Sequence, residues 1–258
     1  MSRVFKYKIQ ELDNRDFKYT KTNQNNKNTF ELKMPIIYNQ EALGSCVSNA
    51  IALYIYYLLK INPSRLYIYF NGRAVGNYNL NEDTGLNIRD GCKSIQKYFI
   101  TNEANWPYNI NNFSQLPDFN AYNNAIKFSD MKYYSVNQDI TAIKACLNNN
   151  LPVIFGIAVY SSFNEAGQTG IVSMPNINLE TLIGYHCILI VGYDENNKKF
   201  KCANSWGTNW GINGYFYLSY EYILDTNLSF DFWCIVFNRF NKNNKKKNNY
   251  KLLLLHLK

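Results

Sequence analysis

A cysteine stands at the head of a long apolar run. Gln40 is followed by Gly44-Ser45-Cys46-Val47, and the chain then stays apolar to Leu59. Apolar residues recur at Val47, Ala50, Ile51, Tyr54, Ile55, Leu58 and Leu59, with Leu53 and Tyr57 beside them. That period is helical, and wide enough for a helix buried on most sides. The Gly-Ser turn delivers Cys46 to its first turn. There the helix dipole favours thiolate, the nucleophilic form of the side chain. An inert core cysteine is the alternative, because free cysteines are often buried.

The chain has 258 residues and is 47% hydrophobic, enough for one large domain or two medium lobes. Its formal charge of +8 is suggestive of nucleic acid until its distribution is read. Six lysines and no acidic residue fall in 241–258, which leaves about +2 for the rest. The basicity is that of a tail, and no nucleic-acid partner is expected. The six cysteines include no Cys-x-x-Cys pair, so neither a zinc site nor a thioredoxin-like motif is expected. The charged start of the chain lacks a signal-peptide apolar run. Free thiols and a cytoplasmic or virion location are the reading. No stretch is long and apolar enough to span a bilayer.

Residues 1–29 are polar, Asn-rich and Lys-rich, and are expected outside the core, as disordered chain or as a short pro-segment. Helices are predicted from Cys46 to about Lys60, over Ser64–Gly72 and over Ile88–Phe99. Short runs rich in β-branched residues follow at 131–136, 153–159, 186–193, 200–204, 214–218 and 232–237, with a helix at 141–149 between the first two. A helical half (about 34–129) followed by a β half (about 130–238) gives an α+β fold of two lobes with the site in the cleft between them. Residues 239–258 form a basic tail.

A cysteine nucleophile needs a base that titrates near neutrality. Of two histidines, His256 lies in the tail and His186 opens an apolar strand. Taken alone, His186 reads equally as a core residue. Downstream, Asn204-Ser205-Trp206-Gly207 through Trp210-Gly211 to Gly214-Tyr215 offers an Asn to hold the imidazole and a Trp to shield that bond. An aromatic hairpin is the bland reading of the same residues. Cys, His and Asn in this order are together far more specific than any one of them.

This constellation resembles the papain family of cysteine peptidases, which includes the cathepsins. His186 lies 140 residues after Cys46 and Asn204 lies 158 after it, close to the family's interval. Gly44-Ser45-Cys46 matches the core of the nucleophile motif, and Gln40 stands where the family keeps its oxyanion-hole glutamine. Asp83-Thr84-Gly85-Leu86 resembles the loop that pairs with extended substrate, and Trp106-Pro107-Tyr108 resembles the Tyr-Pro-Tyr that follows it. Leu43 replaces a cysteine that forms a disulfide in secreted members, and Val47 replaces a tryptophan. With about 30 residues ahead of the match, the long inhibitory prodomain of cathepsin zymogens is not expected, and no His-His pair is available for a dipeptide-releasing occluding loop. Compact members from microbes and large DNA viruses are the nearer likeness.

The resemblance implies a papain-like fold, with a helical left lobe and a β-barrel-like right lobe, and a cysteine endopeptidase that needs no metal or cofactor. Cys46 and His186 would form a thiolate–imidazolium pair. Asn204 would orient the ring, and Gln40 with the Cys46 N–H would bind the oxyanion. Thr84, Gly85, Leu86 and Tyr185 would line an apolar pocket for the second substrate residue before the cut, with Trp206 nearby. The expected partners are protein or peptide substrates and the chain's own N-terminal segment as inhibitor, on a monomer. Rival readings are an acyltransferase with the same nucleophile and a catalytically silent papain-like binding protein.

Overall fold

The computed structural model describes residues 3–23, 27–128 and 130–237. The predicted basic tail lies outside them. In chain order the elements are β1 (Thr29–Glu31), α1 (Cys46–Leu59), α2 (Arg65–Val75), α3 (Ile88–Tyr98), α4 (Phe119–Asn123), β2 (Met131–Ser135), α5 (Ile140–Asn148), β3 (Val153–Tyr160), α6 (Ala166–Thr169), β4 (Leu182–Asp194), β5 (Lys199–Ala203), β6 (Tyr215–Ser219), α7 (Tyr220–Leu224) and β7 (Ser229–Phe237). The four helices before residue 131 and the strands after it make the α+β class read from sequence. The described strands form one antiparallel sheet in the order β2-β7-β3-β4-β5-β6, and β1 pairs with β4.

Helix α1 is buried from Cys46 through Ile55, as its apolar breadth requires. It ends at Lys60, whose left-handed backbone (φ 56°) lets its N–H reach the Tyr56 carbonyl. Tyr54 ties the helix to the sheet. Its hydroxyl donates to the Ile235 carbonyl (2.7 Å) and accepts from the Ile235 N–H (2.9 Å), deep in the core.

Strand β4 carries the apolar run from Cys187 to Tyr193 and is buried over most of its length. β3 pairs with it residue for residue, with Ile157 opposite His186. Asp194–Asn197 turns the chain into β5.

The N-terminal segment departs from the expectation that it lies outside the core. Tyr7 and Tyr19 are buried and belong to the main hydrophobic cluster. Two lengths of the segment are bonded to the body. Tyr7 N–H donates to the Tyr185 carbonyl and Lys8 N–H to the Leu86 carbonyl. Further on, Phe17 and Tyr19 bond Ser135 at the end of β2. Low average hydropathy concealed this, because a few tyrosines carry the burial while the residues between them stay in solvent.

Candidate active site

Four short pieces of chain build the site around the start of α1. Ser45 precedes the helix without capping it by its side chain. Its hydroxyl instead bonds the Tyr108 hydroxyl (2.6 Å), which donates onward to the Gln40 carbonyl (2.8 Å). Tyr108 thus clamps Gln40 and Ser45 together. That role was not assigned to Trp106-Pro107-Tyr108 from sequence, although the motif itself was visible.

The Gln40 side chain is fully buried. Its Oε1 accepts from the Ser205 hydroxyl (2.6 Å). Its Nε2 donates to the Leu43 carbonyl (3.0 Å) and reaches the Val4 carbonyl of the N-terminal segment (3.4 Å), and these oxygens, which can only accept, fix which end of the carboxamide is which. Ser205 was not singled out from sequence.

His186 Nε2 donates to Asn204 Oδ1 across 2.8 Å. That oxygen also accepts from the Ser205 N–H, at 2.8 Å. The donated proton leaves Nδ1 as the bare ring nitrogen, and Nδ1 is buried with no hydrogen-bond partner. Trp206 stacks on the imidazole, with centroids 4.7 Å apart and planes 20° from parallel. Cys46 shares its buried cluster with Cys187, the β4 residue next to His186, and the Cys187 N–H favours the Cys46 thiolate.

The loop before α3 is set from below. Buried Arg73 donates to the Leu80 and Glu82 carbonyls, and Asp83 accepts from the Gly44 N–H (3.0 Å) and from the Tyr69 hydroxyl. Gly85 adopts φ 75°, and a Cβ there would lie 1.7 Å from the Lys6 carbonyl oxygen. Only glycine allows so close an approach.

Electrostatics differ from the ion pair expected from sequence. Burial pushes the Cys46 thiol up to about 12, against the backbone N–H groups of Cys187, Val47 and Cys46 itself. Burial likewise lowers His186 to about 4, assisted by the charge of Arg3 and opposed by the Asn204 bond. With the segment in place, both groups are neutral at ordinary pH. The helix dipole is outweighed because water has been displaced from the thiol.

The displacing group is residues 3–8. Arg3 lies over the Trp206 ring (4.5 Å), Phe5 meets His186 and Trp206 edge-on, and Lys6 pairs with Asp83 (3.0 Å). Gln40, Gly85, Leu86, Tyr185, His186, Asn204 and Trp206 each touch this segment or one another. Thr84 bonds the Glu82 carbonyl through its N–H and the Gly85 carbonyl through its hydroxyl.

A sequence model for the papain family cysteine proteases matches residues 82–229, more than half of the chain. The chain belongs to the papain family of cysteine proteases. An uncharacterized peptidase C1-like protein of Acanthamoeba polyphaga mimivirus is 40% identical to it over 215 residues, 76% of this chain and 68% of the relative. Xylellain, a cysteine protease from Xylella fastidiosa, has TM-score 0.83 at 34% identity, covering 93% of this chain and 99% of xylellain. Procathepsin L 3 of Tenebrio molitor larval midgut shares the fold, with TM-score 0.66 at 19% identity over 85% of this chain and 73% of its own. As a papain-family protease the chain is a hydrolase whose substrates are proteins. The family match begins after Gln40 and Cys46, so those two rest on the geometry above.

Among the described residues, no helix is long and apolar enough to cross a membrane.

Proposed function

We propose that the chain is a cysteine endopeptidase in which Cys46 attacks the peptide carbonyl and His186 moves the protons. One observation supports this most: the hydrogen bond to Asn204 leaves His186 Nδ1 bare and buried, one residue along β4 from Cys187, whose N–H favours the Cys46 thiolate. A bare ring nitrogen is a proton acceptor. Cys46 gives its proton to Nδ1 as sulfur bonds to the carbonyl carbon, and His186 returns it to the leaving amine. Water, deprotonated by the same nitrogen, then releases the acyl group and restores the thiol.

The oxyanion is held by Gln40 Nε2, oriented by Ser205, and by the Cys46 N–H. The approach of the Val4 carbonyl to Nε2 favours this assignment, since a peptide oxygen already lies at that donor. Losing one such donor costs about 10²–10³ in rate. Asn204 orients the imidazole, and Trp206 covers the bond between them.

Residues 3–8 act as a built-in inhibitor. They fill the space over His186, Trp206 and Gln40 and hold the thiol in its neutral form. Catalysis requires this stretch to lift, after which water and substrate reach Cys46 and the thiolate–imidazolium pair forms.

The test uses the full chain bearing Phe5→Ala and Tyr7→Ala, treated with an epoxysuccinyl thiol probe and read by peptide mass spectrometry. The adduct is expected on Cys46 alone among six buried cysteines, and faster than in the unaltered chain. An unlabelled Cys46, or adducts spread over the other thiols, would refute the assignment.

A further inference from the structure

Tyr7 occupies a closed site of its own beside the candidate active site. Its backbone bonds Tyr185, the residue before His186, and its bridge partner is Leu86. Its ring stacks on Phe230 with centroids 5.8 Å apart and planes 19° from parallel. The backbone of Gly156 lies against the edges of both rings. A Cβ there would fall 2.5 Å from the Tyr7 ring and 2.4 Å from Phe230, so this glycine leaves the room in which Tyr7 sits beside Phe230.

The floor is a carboxylate. Tyr7 donates its hydroxyl to Asp231 Oδ2 over 2.6 Å, and the Gln10 N–H reaches the same oxygen at 3.1 Å. Both donors belong to the N-terminal segment. Asp231 sits at φ 58° in a stretch where the β3–β7 register shifts. Such irregularities re-aim a side chain, here inward from the strand. Aromatic walls alone accept any flat or branched apolar group. A half-buried carboxylate with both donors withdrawn disfavours such a group, because its own hydrogen bonds are left unmade. The apolar pocket expected from sequence is thus apolar on its walls only.

We propose that Asp231 is a specificity-determining residue, and that the pocket emptied by Tyr7 selects a tyrosine side chain of the substrate by its hydroxyl. Selection of a substrate rests on the peptidase reading above; the pocket's preference for a phenol does not. Tyrosine fits better than a cation because the slot takes a flat ring stacked on Phe230, and the positive charge of Arg89 already acts on Asp231. It is the second substrate residue before the cut that this pocket serves, given its place between Leu86 and Tyr185.

The test uses the full chain with Tyr7→Ala, and the probes are 4-methylphenol and toluene. 4-Methylphenol is expected to raise the unfolding midpoint and to bind about tenfold or more tightly than toluene. Adding Asp231→Ala, or Asp231→Asn if that variant does not fold, should erase or shrink the difference. Equal binding of the two probes overturns the proposal. Should Tyr7→Ala not fold, Tyr7→Phe keeps the ring and loses only the hydroxyl. It should speed alkylation of Cys46 about tenfold, and an unchanged rate counts against Asp231. Peptide substrates varied at the second position complete the comparison. Tyrosine should exceed phenylalanine about tenfold, while a preference for lysine or arginine would overturn the choice of tyrosine. Absence of all hydrolysis with the phenol preference intact would refute the peptidase reading and leave the pocket standing.

Discussion

His186 Nε2 donates to Asn204 Oδ1 across 2.8 Å, and the same oxygen accepts from the Ser205 N–H. Helix α1 supplies the thiol, strand β4 supplies the imidazole, and this bond fixes the plane of the ring. Its first consequence concerns Asn204, which holds the ring and takes no part in bond making. Asn204→Ala should lower kcat/KM about 10²-fold, the cost of a misplaced catalytic group. Steady-state kinetics in the Tyr7→Ala background would check this. A loss equal to that of Cys46→Ala would make Asn204 more than an orienting residue.

Acid should weaken this structure partly through His186. Burial depresses its pKa from 6.5 to about 4, so the unfolded chain binds the proton more readily. Stability is then whole above pH 6.5 and is lost as pH falls toward 4, by roughly 3 kcal/mol at most from this group. Thermal unfolding of the full chain and of His186→Gln across pH 4–7 gives the comparison. The variant should show the shallower slope, and parallel curves would contradict the desolvated histidine.

Arg89 anchors the N-terminal segment beyond the active site. Its backbone N–H bonds Gln10 Oε1 (3.2 Å), Nη2 bonds the Glu11 carbonyl (2.9 Å), and its guanidinium pairs with Asp16. Arg89→Ala should loosen the segment and raise the alkylation rate of Cys46 several-fold. Proteolysis should enter first between the two bonded stretches, where Leu12 is fully exposed. Unchanged alkylation would mean that residues 3–8 hold without this anchor.

Tyr54→Phe tests the joint between α1 and β7. The substitution strands a buried N–H and a buried carbonyl of Ile235. A cost of about 1–3 kcal/mol in urea-monitored unfolding is expected. A neutral effect would show that the helix is held by its apolar packing alone.

Much of this was legible in the sequence because the signals were local and periodic. Cys46 opening a helix and the apolar run after His186 each specify an element by neighbouring residues. Strand β1 was missed because three residues carry no period, and α4 and α7 because one turn and a half leaves none. The family motif exposed Gln40 and Asn204 but not Ser205, whose hydroxyl acts across 165 residues of chain. Asp231 had no local signal either. It sits in an aromatic strand, and only the bulge turns it toward Tyr7. The N-terminal segment misled for a further reason: its burial depends on docking to a surface that exists only after the rest has folded.

The most direct measurement is hydrolysis of a fluorogenic peptide by the full chain with Tyr7→Ala, with and without Cys46→Ala. Cys46→Ala should leave the unfolding midpoint near that of its parent and reduce turnover to background. Hydrolysis that survives Cys46→Ala in a folded chain would contradict Cys46 as the nucleophile, and with it the mechanism built on His186 and Asn204.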